Sequence, residues 1–247
     1  MVRALLACLL IHTNQLVSIE RLTGALWRTP PNSSGANLRT YAARLREALA
    51  QVGLSGRLAT QRGGGYRLTV RHGEIDADRF TVAAAQGQAA LCTGDFPTAA
   101  TDLSAALAMW RGRAGDDVPV NGNLVQHLGA LNEHRLAVAD DLVEARFALG
   151  QYQTVIRGVR AVLAEHPLRE RPWAQLVRAL YLAGDPGAAL DAYHQARTAL
   201  RDSLGIEPST QLQQLQLAVL RRDDAAVAGP VRGTGPALPA MATRPGG

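Results

Sequence analysis

No lysine occurs anywhere in this 247-residue chain, so all 26 of its basic residues are arginines. A Walker A phosphate loop, a pyridoxal Schiff base and a kinase-type lysine are thereby excluded as usually built. The sequence also lacks a G-x-S-x-G elbow, an H-E-x-x-H zinc motif and a C-x-x-C pair. Cysteine is scarce. Cys8 and Cys92 lie far apart inside helix-like stretches, which predicts two small buried hydrophobes rather than a disulfide or a metal pair. Six histidines remain, and His127 and His134 could share one helix face, but no third ligand lies near them in sequence. Neither a metal nor a cofactor is expected, and neither is enzymatic chemistry. The longest apolar run, Ala4 to Ile11, is too short to cross a bilayer and lacks the flanks of a secretory signal, so a cytoplasmic location is expected.

Acidic residues are the next scarcity, and it is local. Residues 1–72 hold ten arginines against only Glu20 and Glu47, a net of +8, whereas residues 73–247 hold 16 arginines against 19 acids, a net of −3. A general enrichment in arginine does not explain acids missing from one end only. Such a field on a small module favours a polyanionic partner, of which nucleic acid is the usual one.

The basic front reads as three helices and a hairpin. Met1 to His12 carries Leu5, Leu6, Leu9 and Leu10 at helical spacing. Ser18 is placed to cap a second helix with Leu22, Leu26 and Trp27 inward. Pro30 and Pro31 then break the chain, and Ser33 or Ser34 starts a third helix. In that helix Leu38, Ala42, Leu45 and Leu49 share a narrow arc, while Arg39, Thr40, Ala43, Arg44, Arg46 and Glu47 occupy the other side. Small Ala43 among arginines allows close approach of a backbone, and arginine suits guanine edges and phosphates. For a helix in isolation the alternative is a solvated surface without a partner.

Residues 61–70, QRGGGYRLTV, raise three possibilities for their glycines: a phosphate cradle, a hinge or a hairpin tip. A cradle would lead into a helix N-terminus, and here β-like alternation follows instead. The hairpin reading places Arg62 at the tip of a wing, where it could enter the minor groove, and Arg67 where it could reach a phosphate. Three helices with an arginine-faced third and a following hairpin describe a winged helix-turn-helix.

From Glu74 the pattern is almost wholly helical. Gly94, Gly150 and Gly184 each stand at the same point of a two-helix unit, the last two separated by the tetratricopeptide period. Ala99, Ala188 and Ala189 follow where paired helices pack closely, and Trp110, Trp173 and Tyr193 read as packing residues. GDDVPVNGN reads as an exposed loop, and residues 225–247, rich in Ala, Gly and Pro, as a disordered tail. The fold class expected is mainly α: a winged helix-turn-helix with a C-terminal β-hairpin wing over 1–72, then a tetratricopeptide-like helical domain over 73–224.

The stretches RALLACLLIHTNQLVSIERLTGALW, ANLRTYAARLREAL and RGGGYRLTV resemble the OmpR-type winged-helix domain found in the SARP family, the actinobacterial regulators of antibiotic biosynthesis. HPLRERPWAQLVRALYLAGDPGAALDAYHQARTALRDSLGIEP resembles the bacterial transcriptional activator domain that follows it in that family. The resemblance implies an activator, located at the nucleoid, that binds direct repeats in double-stranded promoter DNA of secondary-metabolite clusters as a homodimer and contacts RNA polymerase, without a membrane partner. It carries Arg39, Thr40, Ala43, Arg44 and Arg46 over as outward recognition residues, Arg62 as a wing residue, and Arg28 to Ser34 as the segment that can face polymerase. Family members usually carry a small β-sheet before the first helix, whereas this sequence begins inside that helix. An uncovered apolar patch on helix one is therefore expected. The alternative function is a protein-interaction module that no longer binds DNA and modulates a full-length regulator.

Overall fold

The computed structural model describes residues 1–61, 64–116, 118–119 and 123–229. By packing, the chain forms two compact units, Met1–Leu142 and Val143–Gly247.

The first unit opens with α1 (Val2–Ile11), β1 (Val17–Ser18), α2 (Ile19–Leu26) and α3 (Ser34–Gln51), followed by β2 (Leu58–Gln61) and β3 (Gly65–Leu68). Three helices with a hairpin after them are the winged helix-turn-helix that the sequence predicts. The periodicities explain the packing. Leu22 and Leu26 of α2 and Leu38, Ala42 and Leu45 of α3 are buried in one core, with Trp27 and Leu49 half-buried at its edge. Ser18 caps α2 by accepting a hydrogen bond from the Arg21 backbone N–H at 3.2 Å. On α1 the inward stripe differs from the expected one: Ala4, Leu5, Cys8 and Leu9 are buried, Leu6 is half-buried and Leu10 is 37% exposed. Two adjacent leucines per turn span more arc than one core contact can cover, so the second of each pair falls outside the stripe.

Unanticipated from sequence is β1, which makes the hairpin a three-stranded antiparallel sheet in the order β1-β3-β2. Val17 pairs with Tyr66 and Ser18 with Gly65. The patch expected on α1 is also partly covered. Leu124, on a later helix of the same unit, is buried in the winged-helix core, and with Cys8, Ile11 and Ala25 it lines a gap of about 20 Å³. Part of that cover thus comes from far along the chain, while Leu10 stays exposed.

The rest of the first unit is α4 (Asp76–Cys92), α5 (Phe96–Ala108) and most of α6 (Asn123–Ala148). Gly94 turns α4 into α5 with φ +78°, and Asp95 caps α5 by accepting from the Thr98 backbone N–H. At Gly87 a Cβ would stand 2.6 Å from Leu103, so these helices approach where the side chain is missing. Cys8 is buried as expected, and burial pushes its thiol pKa up. Cys92 corrects the expectation: it ends α4 and is exposed, because only part of that helix faces a neighbour. Of the expected loop GDDVPVNGN, residues 117 and 120–122 lie outside the described residues.

The second unit contains the end of α6, then α7 (Tyr152–Glu165), α8 (Glu170–Leu182), α9 (Pro186–Leu204), α10 (Thr210–Arg221) and α11 (Asp224–Ala228). Gly150 and Gly184 take positive φ at the turns of α6–α7 and α8–α9, as the spacing predicts. Pro172 to Leu180 of α8 are all buried, the signature of a helix surrounded by others. Among them is Arg178, 2% exposed, whose Nη1 donates to Glu144 at 2.9 Å while Nε and Nη2 donate to the Val227 and Ala228 carbonyls. Residues expected to begin a disordered tail at 225 therefore form α11, with Val227 fully buried and its last carbonyls held by a buried cation. The remainder of that tail, 230–247, lies outside the described residues.

Candidate nucleic-acid interface

α3 presents two faces of opposite character. Leu38, Ala42 and Leu45 fasten it to the core, which turns Ala36, Arg39, Thr40, Ala43, Arg44 and Glu47 to solvent. Arg39, Ala43 and Arg44 are all exposed, so a small side chain stands between two arginines on the solvent face. Thr40 is exposed too, its hydroxyl donating to the Ala36 carbonyl one turn back at 3.1 Å. Its oxygen keeps lone pairs for a further partner.

Arg46 departs from the expected outward set. It is half-buried; its Nε donates to the Leu58 carbonyl at 3.0 Å and its Nη2 to the Thr60 hydroxyl at 2.6 Å, both on β2. The wing lies within reach of the last turns of α3, so a long side chain there closes onto it.

Strand alternation positions Arg67. Tyr66 and Leu68 are buried and Arg67 between them is exposed, opposite Ala59. Arg62 lies outside the described residues. The glycine run has two described members with separate reasons to lack a side chain. Gly64 takes φ +89° in the turn, and at Gly65 a Cβ would stand 2.5 Å from the Val17 carbonyl oxygen, where β1 meets β3.

Residues unremarked in the sequence fix the base of the wing. Asn14, at φ 62°, donates from Nδ2 to the Val70 carbonyl at 3.0 Å and accepts from the Val70 N–H at 2.9 Å. An asparagine in the polar break between two helices is the signal that could have found it. Arg57 makes a bidentate pair with Glu74 at 2.9 and 2.8 Å and donates to the Thr69 carbonyl. The Arg57 guanidinium, joined by the Arg71 backbone N–H, holds the Glu74 carboxyl below its ordinary pKa range. Arg57 therefore braces the hairpin.

Comparison with known proteins agrees with this architecture. Residues 2–68 match the family described as transcriptional regulatory protein, C terminal, and residues 75–220 match the bacterial transcriptional activator domain. The transcriptional regulatory protein EmbR of Mycobacterium tuberculosis is 36% identical over 222 residues, covering 89% of this chain and 57% of that one. The regulatory protein DnrI of Streptomyces peucetius is 32% identical over 252 residues, covering 98% of this chain and 89% of that one. A solved structure of M. tuberculosis EmbR in complex with a low affinity phosphopeptide superposes with a TM-score of 0.77 at 34% identity, over 92% of this chain and 62% of that chain. The chain thus spans little more than half the length of EmbR. A winged helix joined to an activator domain in this order defines a transcriptional regulator. The chain belongs to the SARP family of such regulators.

Proposed function

We propose that this chain binds double-stranded promoter DNA and activates a secondary-metabolite, antibiotic-type gene cluster. The carrying observation is the exposed Arg39–Ala43–Arg44 face of α3, on the same unit as a wing that presents Arg67. In this reading α3 enters the major groove and Arg39 and Arg44 meet base edges or phosphates. Ala43 and Thr40 permit close approach, and Arg67 meets the backbone beside the wing. Arg62, which the sequence pattern assigns to the wing, reaches the minor groove. Residues 1–72 form the DNA reader and 73–224 the activator domain. The segment from Arg28 to Ser34, largely exposed, faces RNA polymerase, and two copies pair on direct repeats. The protein acts in the cytoplasm on the nucleoid, without a cofactor, a membrane partner or a catalytic step. The partial cover that Leu124 gives α1 favours this reading over a module that has lost DNA binding, since that alternative started from a bare first helix.

Selection from a random-sequence duplex pool tests it. The parent chain should enrich a repeated element, and Arg44→Ala should lose the preference for it. Arg62→Ala should weaken binding with a shallower salt dependence, by about 0.9 in log–log slope for each phosphate contact removed. Equal binding by both variants and the parent would refute these contact assignments.

A further inference from the structure

Arg46 stands on the stripe of α3 that carries Arg39 and Ala43, yet its guanidinium serves the wing. Its Nε donates to the Leu58 carbonyl at 3.0 Å and its Nη2 to the Thr60 hydroxyl at 2.6 Å. The guanidinium carbon lies 5.8 Å from the centroid of the Tyr66 ring. Leu58 and Thr60 belong to β2 and Tyr66 to β3, where Tyr66 pairs with Thr60 on one side and Val17 on the other. One side chain of the helix thus reaches both strands of the hairpin.

The other attachments of the hairpin differ in kind and place. Leu58, Tyr66 and Leu68 bury their side chains in the core, an attraction without direction. Asn14 and Arg57 act at the base, on Val70 and Thr69. Next to the tip, β1 holds the outer edge of β3 through its pairing with Tyr66 and Gly65, and among the described residues the Arg46 bond to Thr60, the penultimate residue of β2, acts there from the side of α3. A planar fork with two fixed donors ties β2 to the helix, a directional link to α3 that neither the apolar packing nor the β1 ladder on the far edge of β3 supplies.

We infer that Arg46 is a positioning residue that locks the wing at a set distance from α3, so that Arg67 and the exposed arginines of the helix meet the duplex as one rigid body. This rests on the DNA-binding reading above. A wing held in place before binding loses little freedom on contact, and its backbone contact then adds fully to affinity. Lysine at this position keeps the charge, but one ammonium on a flexible stem does not reproduce the fork that joins a carbonyl to a hydroxyl. Arg46→Lys therefore separates position from charge.

The experiment is a double-mutant cycle, read by fluorescence anisotropy on a duplex that the parent chain selects from a random pool. It compares the parent, Arg46→Lys, Arg67→Ala and the double variant. Arg46→Lys should weaken binding by about tenfold, the equivalent of one good interfacial contact. In that background Arg67→Ala should cost less than about twofold, against about tenfold in the parent. Thr60→Val removes one acceptor without touching any charge and should also reduce the Arg67→Ala effect, so a second cycle decides the matter if Arg46→Lys unfolds the domain. Full additivity in the cycle, or parental affinity for Arg46→Lys, would overturn the inference and leave the DNA reading standing. A parent chain that enriches no duplex would overturn the DNA reading, and this inference with it.

Discussion

Two histidines of the first unit sit where a proton is disfavoured. Burial lowers the pKa of His12 first, then Arg21 and His127, whose ring meets that of His12 edge-on at 5.9 Å. Burial likewise lowers His134, which lies against Phe80 and is opposed in part by the Asp141 carboxylate. Both groups therefore resist protonation in the folded chain below 6.5, the ordinary value at which the unfolded chain takes up protons. The unfolded state then binds more protons, so stability is complete above that value and declines as pH falls through it. Glu74 and Glu207 have lowered pKa values, so their contribution persists until pH falls below their ordinary 4.5. Thermal melts followed by circular dichroism should show a falling midpoint between about pH 7 and about pH 5, in the histidine window. His12→Gln should flatten that slope. A midpoint unchanged across the window would contradict the assignment.

At the scale of elements, the contact of Leu124 on α6 with α1 decides how firmly the winged-helix module stands. Leu124 is 2% exposed within the winged-helix core. Leu124→Ala should cost about 2–5 kcal/mol in urea unfolding followed by fluorescence, the range for truncating a buried leucine. A cost near zero would mean that α6 does not support the winged-helix module. This contact was illegible in the sequence, because periodicity tells which face of a helix is apolar without naming what covers it. The stripes of α2 and α3 were legible for the complementary reason: their buried residues recur with the helical period. β1 was not, since two residues carry no alternation. α11 escaped because its alanines read as part of a low-complexity tail, while its anchor, Val227, is a single apolar residue and its clamp, Arg178, lies on another helix. In the candidate interface, Arg39, Thr40, Ala43, Arg44 and Arg67 are exposed as their spacing suggests. Arg46 turned inward because its side chain reaches a hairpin whose position the helical wheel does not contain.

For the whole molecule, the charge asymmetry and the fold point the same way. The end of the chain with ten arginines and two acids is the end that folds as a winged helix. Arg57 pairs with Glu74 and Arg46 bonds the wing, so they organise the module, whereas Arg39, Arg44 and Arg67 face solvent. An excess of exposed guanidinium on one module accelerates encounter with a polyanion and makes affinity fall with salt. The second unit, built on the buried helix α8, contributes helical hairpins suited to protein contacts.

In the proposed function the solvent face of α3 lies against DNA. Tethering an iron chelate to Glu47→Cys in a Cys92→Ser background tests it, because Cys92 is exposed, Cys8 is buried, and Glu47 lies on that face without being one of the proposed contacts. On the selected duplex, strand cleavage should be confined to the bound repeat. Scattered or absent cleavage while the labelled chain remains bound would contradict the account.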